Sequence, residues 1–134
     1  MYTNIKSFED ACAARGIDPL QLPIVTGIPE RHQRAIVSTY KMNIIVEAIN
    51  NDEPGVPDWQ PDYNDEDQYK YFPWFRGGSN DGSGSGFRFS DTSCAWTDAD
   101  TDGGARFAFK DDERAEYAGK TFADIYKEIF LFLK

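Results

Sequence analysis

One stretch constrains the fold of this chain more than any other. Gln68-Tyr69-Lys70-Tyr71-Phe72-Pro73-Trp74-Phe75-Arg76 is the densest aromatic run in the sequence, with an acidic segment before it and a glycine–serine segment, Gly77 to Gly86, after it. Aromatic side chains suit a pleated, half-buried surface, and each buries a large area when packed. The run therefore reads as the first strand of a small antiparallel sheet that helices pack against. Gly86-Phe87-Arg88-Phe89-Ser90 and Ala105-Arg106-Phe107-Ala108-Phe109-Lys110 both alternate apolar and polar residues, which predicts two more strands. Phe87, Phe89, Phe107 and Phe109 would then share one face. Gly77 to Gly86 reads as a long hairpin loop, and Asp91 to Gly104, containing Trp96, as a second loop.

Helical signals flank this sheet. Ser7 and Asp10 mark a helix start that runs through Ala11 to Ala14, and Gly16 is placed to end it in a left-handed conformation. Ile17 to Pro29 holds three prolines and Gly27, so it cannot be regular. Its Leu20, Leu22, Ile24, Val25 and Ile28 are expected to lie over the core. From Pro29 onward, Ile36, Val37, Tyr40, Ile44, Ile45, Ala48 and Ile49 recur at helical spacing, ended by Asn50-Asn51-Asp52 and Pro54-Gly55. Near the end, Asp111 or Asp112 caps a short helix closed by Gly119. Thr121 caps a last helix carrying Phe122, Ile125, Tyr126, Ile129, Phe130 and Leu133. The expected fold is α+β, a small three-stranded antiparallel meander packed against about four helices in one domain.

A chain of 134 residues can bury one core without disulfides or metal, and 40% hydrophobic with 15% aromatic residues is the composition of a folded domain. No apolar run approaches the roughly 20 residues of a membrane-spanning helix, and no leader peptide is read at the start. Cys12 and Cys94 are far apart, which fits a reducing cytoplasm better than a disulfide framework. The formal charge of −9, from 14 basic and 23 acidic residues, repels nucleic-acid phosphates, so direct nucleic-acid binding is not expected. Seven of the acids (Asp52, Glu53, Asp58, Asp62, Asp65, Glu66, Asp67) fall in one segment with no Lys or Arg, the usual pattern of a solvated loop.

Asp98-Ala99-Asp100-Thr101-Asp102-Gly103 matches the opening of a calcium loop, with carboxylates at alternate positions and a glycine at the turn. The closing bidentate Glu is missing, because its place is taken by Phe109 within a strand pattern. Asp98, Asp100 and Asp102 are thus weak metal candidates beside the ordinary reading of an Asp- and Gly-rich turn. His32 is the only histidine, and no nucleophile elbow, Cys pair or zinc motif accompanies it. The glycine-rich segment precedes a strand and lacks a following Lys-Ser/Thr, so it is no phosphate cradle. No cofactor and no catalytic residue are expected. Trp59, Tyr63, Trp74 and Trp96 fall on or beside the sheet, among polar loops. They read either as core packing or as a platform for a planar ligand or a protein partner.

The stretches Ser7–Cys12, Val56–Trp59, Gln68–Phe75, Gly86–Ser90 and Tyr117–Lys127 together resemble small uncharacterised proteins carried by gut-bacterial phages and prophages. That resemblance implies a phage-borne accessory or virion-associated protein and brings no activity or site residue with it. It does not require the Asp98–Asp102 loop to be acidic. Three readings compete on the residues. The first is a non-enzymatic interaction module using Trp59, Tyr63, Trp74 and Trp96 to bind a protein or small molecule. The second is an acidic decoy for a basic nucleic-acid-binding surface on a host protein. The third is a small-ligand enzyme working through loop carboxylates.

Overall fold

The computed structural model describes residues 1–76, 87–95 and 107–131. Helix α1 is Phe8–Arg15, α2 is Glu30–Asn50, strands β1 and β2 are Lys70–Arg76 and Arg88–Ala95, and helices α3 and α4 are Asp112–Thr121 and Ala123–Leu131. The fold is α+β, with β1 and β2 forming a two-stranded antiparallel ladder. The glycine–serine hairpin loop read at Gly77–Gly86 lies outside the described residues. Asp91 to Ala95, read as loop, continues β2.

Local chemistry sets the helix ends as the sequence indicates. The Ser7 hydroxyl accepts from the Asp10 amide at 3.1 Å, and Gly16 closes α1 at φ 69°. Asn51 ends α2 by turning its side-chain amide back onto the Glu47 carbonyl at 2.9 Å. Asp111 caps α3 through the Arg114 amide at 2.8 Å. Gly119, read as a terminator, is inside α3 instead. A Cβ built there would lie 2.3 Å from the Phe89 ring and 2.8 Å from Pro73, so glycine is needed where helix and sheet meet. Thr121 ends α3, and Phe122, not Thr121, stands directly before α4.

The third strand of the expected meander does not form among the described residues. Phe107–Lys110 contributes one antiparallel bridge, Phe109 to Tyr71, with both backbone hydrogen bonds made at 3.0 and 2.8 Å. A strand residue's N–H and C=O point to the same side, so this bridge uses the edge of β1 away from β2. The segment therefore borders the first strand, which a meander would not allow. Pro73 supplies the physical reason for the single bridge. Two residues along from Tyr71, it presents that same edge and has no N–H to extend the ladder. Asn50 holds the segment instead, donating to the Ala108 carbonyl at 3.0 Å and accepting from the Lys110 amide at 3.1 Å.

The main core joins Ile5, Phe8 and Cys12 to Met42, Ile45 and Ile49 of α2, and closes over Phe107, Phe109, Ala115, Ala118 and Tyr126. Of the four phenylalanines expected on one face, Phe107 and Phe109 are in this core and Phe87 packs against it, while Phe89 lies against Gly119. Phe75 ties the strand pair to α4, stacking on Phe87 at 4.8 Å and meeting Tyr126 at 4.7 Å. On the other face of β1, Phe72 packs with Ala108 and Trp59. The segment Ile17–Pro29 departs most from expectation. Leu20 is 84% and Ile24 95% exposed, so these residues do not lie over the core, and Ile36 of α2 is exposed with them. Leu20 sits in a turn closed by the Gln21 amide on the Asp18 carbonyl at 3.2 Å, and farther along Pro23 and Val25 face α2 while Ile24 between them faces out.

One guanidinium joins three parts of the chain. Arg114 is buried, with Nε donating to the Ile49 carbonyl at 3.0 Å and one terminal nitrogen to Asp52 at 2.6 Å and Glu53 at 3.3 Å. Its other terminal nitrogen bonds Asp111, and the group stacks over the Tyr2 ring at 4.8 Å. Burial alone would raise the Asp52 carboxyl pKa, but the Arg114 hydrogen bond and charge, with the Tyr2 amide, more than offset it and hold it below the ordinary value of 3.8. A lowered carboxyl pKa adds stability above that value, which is lost as pH falls through the folded-state pKa. Arg114→Met should cost about 3–5 kcal/mol, because it strands partly buried carboxylates. It should also flatten the acid limb of the stability–pH curve. Chemical denaturation from pH 2 to 7 reads both, and an unchanged acid limb would disprove the role given to Asp52.

The Tyr126 hydroxyl is fully buried with no hydrogen-bond partner among the described residues. Burial pushes its pKa far above the ordinary 10.0. Stability is therefore complete below that pH and falls above it, as the unfolded chain ionises and the folded one resists. Tyr126→Phe should raise stability by about 1 kcal/mol at neutral pH and reduce the loss above pH 10, since it removes an unsatisfied buried group. A fall in stability would show that the hydroxyl has a partner.

Candidate functional site

Helix α2 turns one face to the core and leaves a second facing a cleft. Tyr40, Asn43, Glu47 and Asn51 follow one another at steps of three and four residues, so they make a continuous aromatic and polar stripe along that second face. Opposite them run Asp58, Trp59, Gln60, Pro61 and Tyr63, and Ala108 with Asn50 forms the floor. The cleft between these walls holds about 610 Å³ and is open to solvent.

The irregular wall is fixed at several points. Asn51 Oδ1 accepts the Trp59 backbone amide at 2.6 Å. Arg15 reaches across from α1 and donates to both carboxylate oxygens of Asp58, at 2.8 and 3.3 Å, with Glu47 at 3.5 Å. Gln68 bridges the segment, accepting from the Asp62 amide at 2.6 Å and donating to the Gln60 carbonyl at 3.0 Å. Lys70 is completely buried. Its ammonium donates to the Asp65 carbonyl at 3.0 Å and lies 5.1 Å from the centre of the Tyr63 ring. Trp59 packs on Phe72 and Ala108, which leaves part of its ring facing the cleft.

The electrostatics of the cleft are acidic and partly compensated. The hydrogen bond and charge of Arg15 hold the Asp58 carboxyl below its ordinary range. Burial pushes the Tyr63 phenol pKa upward. Rings on two walls, amides from Asn43 and Gln60, and the carboxylates of Glu47 and Asp58 favour a neutral or cationic ligand with a flat apolar body. Anionic ligands meet like charge.

Of the four aromatic residues singled out from sequence, Trp59 and Tyr63 are brought together here. Trp74 is half-exposed in a separate shallow depression of about 280 Å³ with Arg76, Ser90 and Asp91. Trp96 lies outside the described residues, as do Asp98, Asp100 and Asp102. Among the described residues no group of three or more His, Cys, Asp or Glu side chains could hold a metal ion. The sequence reading missed Tyr40, Asn43, Glu47 and Arg15. For Asn43 and Glu47 the signal was available, as polar residues at helical spacing beside the apolar stripe of α2, whereas Tyr40 was counted within that stripe and Arg15, on α1, carried no such signal.

The Arg15–Asp58 pair is exposed on the carboxylate side, so its main effect should be on local order rather than global stability. Arg15→Leu should speed amide exchange across residues 58–63 while the melting temperature barely moves. In the parent, the same exchange should quicken as pH falls below the ordinary Asp value and the carboxylate is protonated, after allowance for intrinsic rates. Unchanged exchange in the variant would remove Arg15 from this role. Comparison of the chain with protein-family models, with curated proteins and with solved structures finds no match in any of the three.

Proposed function

We propose that this chain is a non-enzymatic binding module whose recognition surface is the cleft between α2 and residues 58–63. The observation that supports this most is the pairing of half-buried Trp59 and Tyr63 with the Tyr40–Asn43–Glu47 stripe across an open cavity. Aromatic rings supply contact area at little entropic cost, and the planar amides beside them select orientation. The alternative of a carboxylate enzyme is less well supported. A general acid needs a raised pKa, and Asp58 is shifted the other way by Arg15. The decoy reading is less well supported, because Asp52 and Asp58 are paired with Arg114 and Arg15 within the chain, and Asp62 and Asp65 each turn one carboxylate oxygen onto a backbone amide at 2.9 Å. The resemblance to phage-borne proteins gives the context proposed for this module, an accessory protein in the cytoplasm of a bacterial host or one associated with the virion.

The test is chemical-shift mapping with a library of small neutral, cationic and anionic aromatic fragments. Neutral and cationic fragments should perturb the amides of Tyr40, Asn43 and Glu47 together with the Trp59 indole. Asn43→Ala and Tyr63→Ala should weaken those perturbations about tenfold. Trp74→Ala, in the separate depression, should leave them intact. Perturbations centred elsewhere, or equal binding of the anionic fragments, would disprove the assignment.

A further inference from the structure

The two walls of the cleft differ in kind, and the difference restricts what can fill it. On the irregular wall burial alternates: Trp59, Pro61 and Tyr63 are half-buried, while Asp58, Gln60 and Asp62 are exposed. That wall therefore turns two rings and a proline inward and keeps its polar groups at the rim. Trp59 rests on Phe72 and Ala108 behind it, and the Lys70 ammonium stands against the Tyr63 ring at 5.1 Å. The α2 wall presents mainly polar groups, with Ile44 and Val46 buried beneath them. Its one ring, Tyr40, already meets Phe8 at a steep angle, the centroids 6.3 Å apart.

Some of the polar groups are already committed. Asn50 bonds Ala108 and Lys110, Asn51 bonds Glu47 and Trp59, and Asp58 holds Arg15. Others are open. The side-chain amides of Asn43 and Gln60 and the Tyr40 hydroxyl make no hydrogen bond among the described residues, and Glu47 meets Arg15 only at 3.5 Å. The Tyr126 hydroxyl is the one buried polar atom without a partner among the described residues, so these open groups reach solvent. All four can accept and three can also donate, which complements alcohol hydroxyls, since each of those does both. Tyr40, Asn43 and Glu47 spread over about 10 Å of helix, more than a single sugar ring covers. A flat heterocycle has two apolar faces and carries its polar groups in the ring plane, which suits aromatic rings on both sides. A pyranose gathers C–H bonds on a face and hydroxyls at its rim, and those C–H bonds lie well against the negative face of an aromatic ring. Building on the reading of this cleft as the recognition surface, we propose that its ligand is a short neutral oligosaccharide. Its C–H faces lie on Trp59 and Tyr63, and its hydroxyls reach Asn43, Gln60, Glu47 and Tyr40. An uncharged ligand draws nothing from the carboxylates as charges, which Arg15 has already partly cancelled.

Magnetic-resonance titration of the chain with cellotriose, maltotriose and triacetylchitotriose tests the assignment. At least one trisaccharide should shift the amides of Asn43 and Glu47 together with the Trp59 indole, saturating below about 10 mM. D-glucose should bind more weakly, because the open groups extend beyond one ring. Saturation transferred from the protein should fall mainly on the ring protons of one sugar face. Asn43→Ala and Gln60→Ala should each weaken binding about fivefold with an unchanged melting temperature, since neither side chain bonds elsewhere in the fold. No response to any of the three trisaccharides, while aromatic fragments still shift these amides, would overturn the saccharide and leave the cleft as the recognition surface. Even saturation of all sugar protons, glucose binding as tightly as the trisaccharides, or amide variants that bind unchanged would do the same. Shifts centred elsewhere for saccharides and fragments alike would overturn both readings.

Discussion

The arrangement of the fold depends on how one buried cation is neutralised. Arg114 lies where the end of α2, the start of α3 and the N-terminal 3-10 turn converge, and each supplies it with an acceptor or a ring. A guanidinium has five donors in a fixed plane, so it can hold three segments at set angles where a packed aliphatic residue would only fill space. Desolvating it is costly, and the surrounding carboxylates and carbonyl must all be present to offset that cost. The N-terminal turn, held also by Tyr117 donating to the Ile5 carbonyl at 2.8 Å, is thereby made part of the core rather than a loose end.

The small sheet follows a similar logic, with side chains completing what backbone cannot. Two strands alone are marginal in water and need packing on a face to persist. Here Phe75 reaches Tyr126 of α4 from one face, while Phe72 carries Trp59 on the other. Pro73 ends backbone pairing along the outer edge of β1, and Asn50 takes over, offering its amide to residues 108 and 110 as a neighbouring strand would. The floor of the cleft thus rests on a helix side chain rather than on a sheet. The stripe lining the cleft and the residue supporting its floor come from the same stretch of α2.

Much of this was legible in the residues. Ser7, Gly16, Asn51 and Asp111 act locally, so their meaning survives without knowledge of the rest of the chain. Trp59 and Tyr63 were singled out because aromatics in an acidic segment stand out, and the structure places both on the wall of the cleft. The failures share a different cause, because each depended on a partner distant in sequence. Gly119 looks like a terminator until the Phe89 ring is placed against it. The alternation of Ala105–Lys110 is a strand pattern, and only the position of Pro73 on the neighbouring edge limits it to one bridge. Leu20 and Ile24 carry the composition of a core, but their backbone runs alongside a helix whose buried face is already occupied. Asn43 and Glu47 were hidden by the stronger apolar periodicity of α2, in which Tyr40 itself was counted.

The multiple fastening of residues 58–68 has a thermodynamic consequence. With Asn51 and Arg15 at one end, Lys70 at the other and Gln68 bridging between, this wall of the cleft is already in place before anything enters. If the cleft binds as proposed, a ligand would have little chain to order, and the heat-capacity change on binding would reflect the area of ring it covers and not a coupled folding step. Association would then be set by encounter and orientation, without waiting for a rare conformer. Selectivity would fall to the fit against a nearly fixed outline, so that closely related ligands would separate by how long they stay rather than by how fast they arrive.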